Sequence, residues 1–129
     1  MILISLPIRF TLLVWMLLFP SFVFAQNGDP IAGKNVFRKC QACHTVENGK
    51  HRQGPSLYRV IGRRAGTAEG YKRYSEAMKN YGIIWDANNL NIYLENPKKA
   101  LPGNKMPFVG LKNIQDRYDV ISYLEQVAK

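Results

Sequence analysis

Cys40-Gln41-Ala42-Cys43-His44 holds both cysteines of the chain and one of its two histidines. Thiols at this spacing suit three chemistries: a redox dithiol, half of a metal site, or the anchor of a cofactor. A zinc site takes about four ligands; two cysteines, two histidines and no second metal-type cluster do not supply them. Redox dithiols sit in a βαβ context, and no stretch of this sequence alternates like a strand. The third chemistry fits. In C-x-x-C-H each thiol can add to one vinyl group of a porphyrin, forming two thioethers, and the adjacent histidine then faces the iron from the same side. Covalent attachment prevents loss of the cofactor and fixes the ligand beside it.

An iron held this way has a second face. Met78, Met106 and His51 are the residues that could meet it. His51 follows His44 closely on a tight loop and would struggle to reach the opposite side. Met78 lies in "SEAMKN", where packing in a core is the plain expectation. Met106 lies in "PGNKMPF": Pro102-Gly103 marks a turn, and Pro107 biases Met106 toward an extended backbone. Such a loop can lay a thioether against a flat cofactor, so Met106 is favoured. Histidine–methionine ligation raises a haem's potential for electron transfer. Haem also brings two carboxylates, which are costly to bury without donors. Trp85, Arg63, Tyr74 and Asn104 are the available donors, and composition alone does not assign them.

The elements that must position these groups read as helices. Asp29 and Pro30 form a cap and a first helical position ahead of "IAGKNVFRKC", with Ile31, Val36 and Phe37 roughly on one face. "SEAMKN" can make one or two turns before Gly82. "NNLNIYLENP" is a helix that stops before Pro97, and "KKALPGNKMPFVG" reads as a loop. "NIQDRYDVISYLEQVAK" carries Ile114, Tyr118, Ile121, Leu124 and Val127 at helical spacing. The class is all-α, with about four to five short helices and long loops. Loops this long in a small domain imply a central organising group.

The chain has 129 residues and a net charge of +9. Residues 1–28 carry a single charge, Arg9, and residues 10–25 form an uncharged apolar run ending in Val23-Phe24-Ala25. This reads as a secretory leader, 1–25, cut after Ala25, ahead of one domain, 26–129; the alternative is an uncleaved membrane anchor. Export permits disulfides. The surplus of positive charge suits an acidic partner surface, a membrane face or nucleic acid, and no nucleic-acid-binding motif accompanies it.

From Gly28 onward the chain resembles class I cytochrome c, close to the mitochondrial type and its bacterial relatives. The resemblance rests on "GDPIAGKNVFRKCQACHTVENGKHRQGPSLYRVIGRRAG", "GYKRYSEAMKNYGIIW" and "YLENPKKALPGNKMPFVGLK", and on the distance from His44 to Met106. It implies a small cytochrome c fold wrapped round one covalent haem c, with Cys40 and Cys43 as thioether anchors and His44 and Met106 as axial ligands. It further implies that the carbonyl of Pro55 accepts from the His44 ring, a contact that orients a metal-bound histidine. Tyr74, Trp85 and Asn104 match positions around a propionate, and Arg63 a nearby buried cation. Tyr93 matches a tyrosine near the methionine sulfur, Phe108 an aromatic over the haem edge, and His51 a histidine that ties loops together. Phe37, Val120 and Tyr123 match the packing of the first helix on the last. There are departures: one residue fewer between His44 and Pro55, and one more before Tyr74, which makes Tyr71 a rival propionate donor. Met78 stands where relatives often have a polar residue, and Ala100 where an aromatic is usual.

The resemblance places Lys39, Lys98, Lys99, Lys105 and Lys112 around the haem edge as a docking ring, which would steer encounter with acidic surfaces. The implied function is an exported, monomeric, mobile one-electron carrier from a cytochrome bc complex to a cytochrome c oxidase or similar acceptor. It would work in the periplasm of a Gram-negative bacterium, without nucleic acid, and would meet the membrane only through partners unless the N-terminal segment is retained. Two rivals differ in chemistry: a haem enzyme such as a peroxidase, which needs an open iron site, and a thiol–disulfide oxidoreductase. Intact mass of the exported protein separates the thiol–disulfide reading from the haem readings. The expected species begins at Gln26 and carries one haem; cysteines free or joined to each other, with no haem, would overturn it.

Overall fold

The computed structural model describes residues 27–127, so the expected leader, 1–25, lies outside the described residues. The Asp29 carboxylate accepts from the Ile31 N–H at 2.8 Å, and Pro30 takes the first helical position, where its missing N–H costs nothing. Helix α1 (Pro30–Phe37) therefore starts where its residues predict. It buries Gly33, Val36 and Phe37, but Ile31, expected on the same face, is 78% exposed. Ile31 is two positions from Gly33, about 200° round the helix, and Gly33 sets the buried face.

The partner of α1 is the last helix, α5 (Ile114–Val127). A Cβ on Gly33 would lie 1.9 Å from the backbone oxygen of Asp119, and one on Gly28 would lie 2.0 Å from that of Tyr118. The two backbones thus touch, and side chains close the gap on either side. The rings of Phe37 and Tyr123 meet at 5.3 Å, and Val120, Ile121 and Leu124 are buried. Asp119, also buried, accepts the Asp29 N–H at 2.7 Å and fastens the start of α1 to α5. Ile114 and Val127 remain 46% and 36% exposed. They lie at the two ends of a 14-residue helix whose partner has only 8 residues to cover it.

Between these helices lie three shorter ones. Helix α2 (Glu76–Lys79) is capped by Ser75, and α3 (Ala87–Glu95) by Asp86. Helix α3 stops before Pro97 as expected. The following residues, read as loop, make a single turn instead, α4 (Pro97–Ala100). Asn96 caps it by accepting the Lys99 N–H at 3.1 Å, and Pro97 again fills the first position. One turn is too short to show a periodicity, so only the Asn-Pro pair marks it. No strand occurs among the described residues; an isolated antiparallel bridge joins Arg64 to Ile84.

The loops are tied by side chains reaching backbone. Arg117 is only 4% exposed. Its Nε donates to Asn91 Oδ1 at 2.7 Å, and its Nη1 to the carbonyls of Leu111 at 2.6 Å and Lys112 at 3.1 Å. One cation thereby joins α5, α3 and the segment before α5. His51 accepts the Ser56 N–H at Nδ1 (3.0 Å) and meets the Glu69 carbonyl through Nε2 (2.8 Å). No helix among the described residues is long and apolar enough to cross a membrane. Gly33→Ala tests the helix contact: the added methyl has no space against backbone, so stability should fall by roughly 2–3 kcal/mol or more. Thermal unfolding of the haem-loaded protein reads this out, and an unchanged midpoint would contradict the close approach.

Candidate haem site

Helix α1 leads directly into the cysteine motif. Cys40 N–H donates to the Phe37 carbonyl at 2.8 Å, and the N–H groups of Cys43 and His44 to the Cys40 carbonyl at 3.0 and 2.9 Å. These turns bring Cys40, Cys43 and His44 to one end of the α1–α5 pair. Both cysteines are half-buried and carry free thiols. Burial pushes the Cys40 thiol up to about 11, despite the opposing charge of Lys39. The thiolate is the nucleophile in disulfide exchange, so Cys40, held protonated at neutral pH, is a poor attacking thiol.

His44 is positioned more tightly than either cysteine. Its Nδ1 lies 2.7 Å from the carbonyl of Pro55. A carbonyl only accepts, so Nδ1 carries the proton and the Nε2 lone pair is left free to bind a metal. Burial lowers the pKa of this ring, with the Pro55 contact opposing, which favours the neutral form that a metal needs. Gly54 packs under the ring. A Cβ there would lie 2.3 Å from the His44 Cε1, so only glycine allows this approach. Gly54 escaped the sequence reading, although the Gly-Pro pair is a visible signal for a tight approach.

The Met106 loop is held by Asn104. Asn104 Nδ2 donates to the carbonyls of Pro97 (2.9 Å) and Leu101 (2.8 Å), and its Oδ1 accepts the Met106 N–H at 2.8 Å. The side chain is thus engaged in the loop itself, beside any role toward a ligand. Met106, Met78 and Phe108 all pack partly buried against the main core. His51 has both ring nitrogens engaged, as described above.

The residues expected near the cofactor's carboxylates and sulfur form a connected layer. Trp85 and Tyr93 are buried, with ring centroids 5.0 Å apart. The Tyr93 hydroxyl is buried without a hydrogen-bond partner, and burial together with Tyr81 pushes its pKa up, keeping it a donor. Arg63 gives Nη1 to the Tyr58 carbonyl at 2.8 Å and Nη2 to the Ser56 carbonyl at 3.0 Å, while its buried Nε has no partner. Tyr71 and Tyr74 stack edge to face at 4.8 Å but differ in use. Tyr71 donates its hydroxyl to the Gln53 carbonyl at 2.6 Å. Tyr74 accepts the Ala68 N–H at 3.1 Å, which leaves its own proton free to donate.

These features fit a haem. A cation held only by carbonyls, a buried hydroxyl and a free phenol proton are donors waiting for an anion or a sulfur, since an unmet buried polar group costs roughly 1–3 kcal/mol. Among the described residues no group of three or more His, Cys, Asp and Glu could hold a bare metal ion.

The five lysines expected to meet a partner come from distant parts of the sequence. Leu111 N–H donates to the Leu94 carbonyl at 2.7 Å and Lys112 Nζ to the Glu95 carbonyl at 2.7 Å, folding the segment after Met106 back on α3. Lys98 and Lys99 on α4, and Lys105, are exposed. Lys39 forms an ion pair with Asp116, 3.5 Å away in the first turn of α5.

Asn104→Ala tests the loop. It removes three hydrogen bonds and should cost about 2 kcal/mol, with faster amide exchange at Met106 in the haem-loaded protein. Unchanged protection there would mean that other contacts hold the methionine.

The cytochrome c family model matches residues 31–128. A cytochrome c of Gossypium barbadense is 50% identical over 108 residues, covering 82% of this chain and 96% of its own. A cytochrome c2 of Rhodomicrobium vannielii is 52% identical over 98 residues, covering 75% and 78%. Among solved structures, cytochrome cH from Methylobacterium extorquens superposes with a TM-score of 0.71 at 41% identity, covering 76% of this chain and 98% of that one. With a family match across nearly all the described residues, and relatives about half identical, the chain belongs to the cytochrome c family of electron-transfer proteins with covalently bound haem c.

Proposed function

We propose that this electron carrier is an exported protein that takes single electrons from a cytochrome bc complex and delivers them to a terminal oxidase or similar acceptor, with His44 and Met106 as its axial iron ligands. The observation that carries the ligand assignment is the state of the four candidates, two histidines and two methionines. His44 has a fixed proton on Nδ1 and a free Nε2, whereas both nitrogens of His51 are engaged. Of the two thioethers, Met106 sits in a loop fastened at its own N–H by Asn104, and Met78 lies on a one-turn helix.

A bound haem supplies a one-electron iron couple. The chain's own groups set its surroundings. Cys40 and Cys43 would anchor it, and Pro55 would hold the His44 ring at one orientation in both oxidation states. Tyr93 would donate toward the sulfur of Met106. Tyr74, Trp85 and Asn104 would meet a propionate, with the unpartnered Arg63 Nε offering positive charge nearby. Phe108 would cover the exposed edge. A thioether on the second face closes the open position that peroxide chemistry requires, and it raises the potential.

Lys39, Lys98, Lys99, Lys105 and Lys112 would form the docking surface. Their field would speed encounter without needing tight binding, as suits a carrier that must leave again. The apolar N-terminal segment supports export, and the bacterial relatives support a periplasmic setting.

Met106→Ala should abolish the methionine-to-iron absorption band of the oxidised protein, lower its potential and raise peroxide turnover. Persistence of the band in that variant, with its loss in Met78→Ala, would assign the other sulfur. Rapid peroxide turnover by the unaltered protein would overturn the carrier reading. Lys98→Gln with Lys99→Gln should slow reduction by an acidic redox partner about tenfold or less at low salt, and the difference should vanish at high salt.

A further inference from the structure

The loop between His44 and Pro55 turns at Glu47-Asn48-Gly49-Lys50. Lys50 N–H donates to the Glu47 carbonyl at 3.3 Å, and Gly49 takes a φ of 67°, which glycine adopts without steric cost. The feet of this turn are fastened. Thr45 Oγ1 donates to the Lys50 carbonyl at 2.6 Å and accepts the Glu47 N–H at 3.2 Å, and Ser56 Oγ donates to the Glu47 carbonyl at 2.5 Å. Thr45 and Ser56 are both buried. Lys50 also pairs with the Glu47 carboxylate at 2.8 Å.

The apex is free where the feet are not. Asn48 and Gly49 are exposed, and no hydrogen bond among the described residues uses the Asn48 side chain or the Gly49 N–H. Nothing lies within 4 Å of a Cβ built on Gly49. An asparagine amide followed by glycine is open to attack by the next backbone nitrogen, because glycine puts no side chain in the way. Asn27-Gly28 is the same pair in another setting. Gly28 lies against the backbone of α5, where a Cβ would be 2.0 Å from the Tyr118 oxygen. The backbone of Gly28 is thus held in place, and that of Gly49 is not.

We propose that Asn48 is a site of self-modification that acts on the support of His44. The Gly49 nitrogen bonds to the carbonyl carbon of the Asn48 side chain. The bond from that carbon to the amide nitrogen breaks, and the nitrogen leaves as ammonia with the proton lost from the Gly49 N–H. Water then opens the resulting succinimide ring at either carbonyl, leaving aspartate or isoaspartate at 48; no oxidant, enzyme or cofactor enters. Isoaspartate adds a methylene to the backbone between two fastened feet, Glu47 and Lys50. The displacement passes to Ser56, which holds the Glu47 carbonyl and directly follows Pro55, whose carbonyl fixes the His44 ring. The contact that orients His44 is thereby loosened. Only an effect on iron rests on His44 being its ligand; the reaction at 48 and the change at Pro55 do not.

The proposal is tested by incubating the haem-loaded protein at neutral and mildly alkaline pH, then reading its peptides by mass and by a separation that resolves isoaspartate from aspartate. The peptide holding Asn48 should gain the mass that exchanges an amide for an acid, chiefly as isoaspartate and faster at the higher pH. The peptide holding Asn27 should stay unmodified, and Asn48→Gln should remove the reaction. In the reduced protein, the ring N–H resonance of His44 should shift and exchange faster with solvent in the isoaspartate form. Asn48→Asp adds the charge without the extra methylene and should leave that resonance in place. Residue 48 is exposed, so both variants are expected to fold; thermal unfolding confirms that. An unmodified Asn48, equal reaction at Asn27, an unmoved His44 resonance in the isoaspartate form, or the same shift in Asn48→Asp would overturn the proposal.

Discussion

Gly33 lies against the backbone of Asp119, and much of the molecule follows from that contact. It lets α1 rest directly on α5, which brings the first and last helices of the domain together with almost no space between them. The cysteine motif begins three residues beyond the end of α1 and inherits its position. The start of α5 carries Asp116, which draws Lys39 to the same end. A larger residue at this crossing would separate the helices and shift everything attached to them.

Around that pair the fold is held less by helix packing than by polar side chains that catch loops. Arg117, His51, Asn104 and Arg63 each bond to backbone carbonyls or N–H groups of loop residues, and His51 reaches as far as Glu69. A buried cation such as Arg117 is tolerated because carbonyls and an amide surround it, which offsets the loss of water. Such ties leave the loops precise enough to carry ligands. His44 shows the benefit. One carbonyl and one glycine fix its tautomer and its orientation, and its burial keeps the ring neutral. The same layer contains groups that protein atoms do not satisfy, Tyr93 Oη and Arg63 Nε. In a small domain these are costly unless a cofactor completes them, so the haem belongs to the folding of this chain as well as to its redox chemistry.

The sequence by itself determined the chemistry. C-x-x-C-H, a methionine beside proline in a turn, and the Asp29-Pro30 cap are local signals, read from residue type and near-neighbour spacing. They yielded an all-α class and the start of α1. Tertiary structure decided what depends on residues far apart. It turned Ile31 outward, since the contact face of α1 was set by its partner. It made a helical turn of 97–100, too short for any period. It engaged Tyr71 with Gln53 and left the Tyr74 proton free, a choice that one inserted residue had made ambiguous. It also drew Lys39 to Asp116 at the start of α5 and Lys112 to the end of α3. Chemical capacity resides in single side chains and short motifs, but proximity is created only when α1, α5 and the loops between them close on one another.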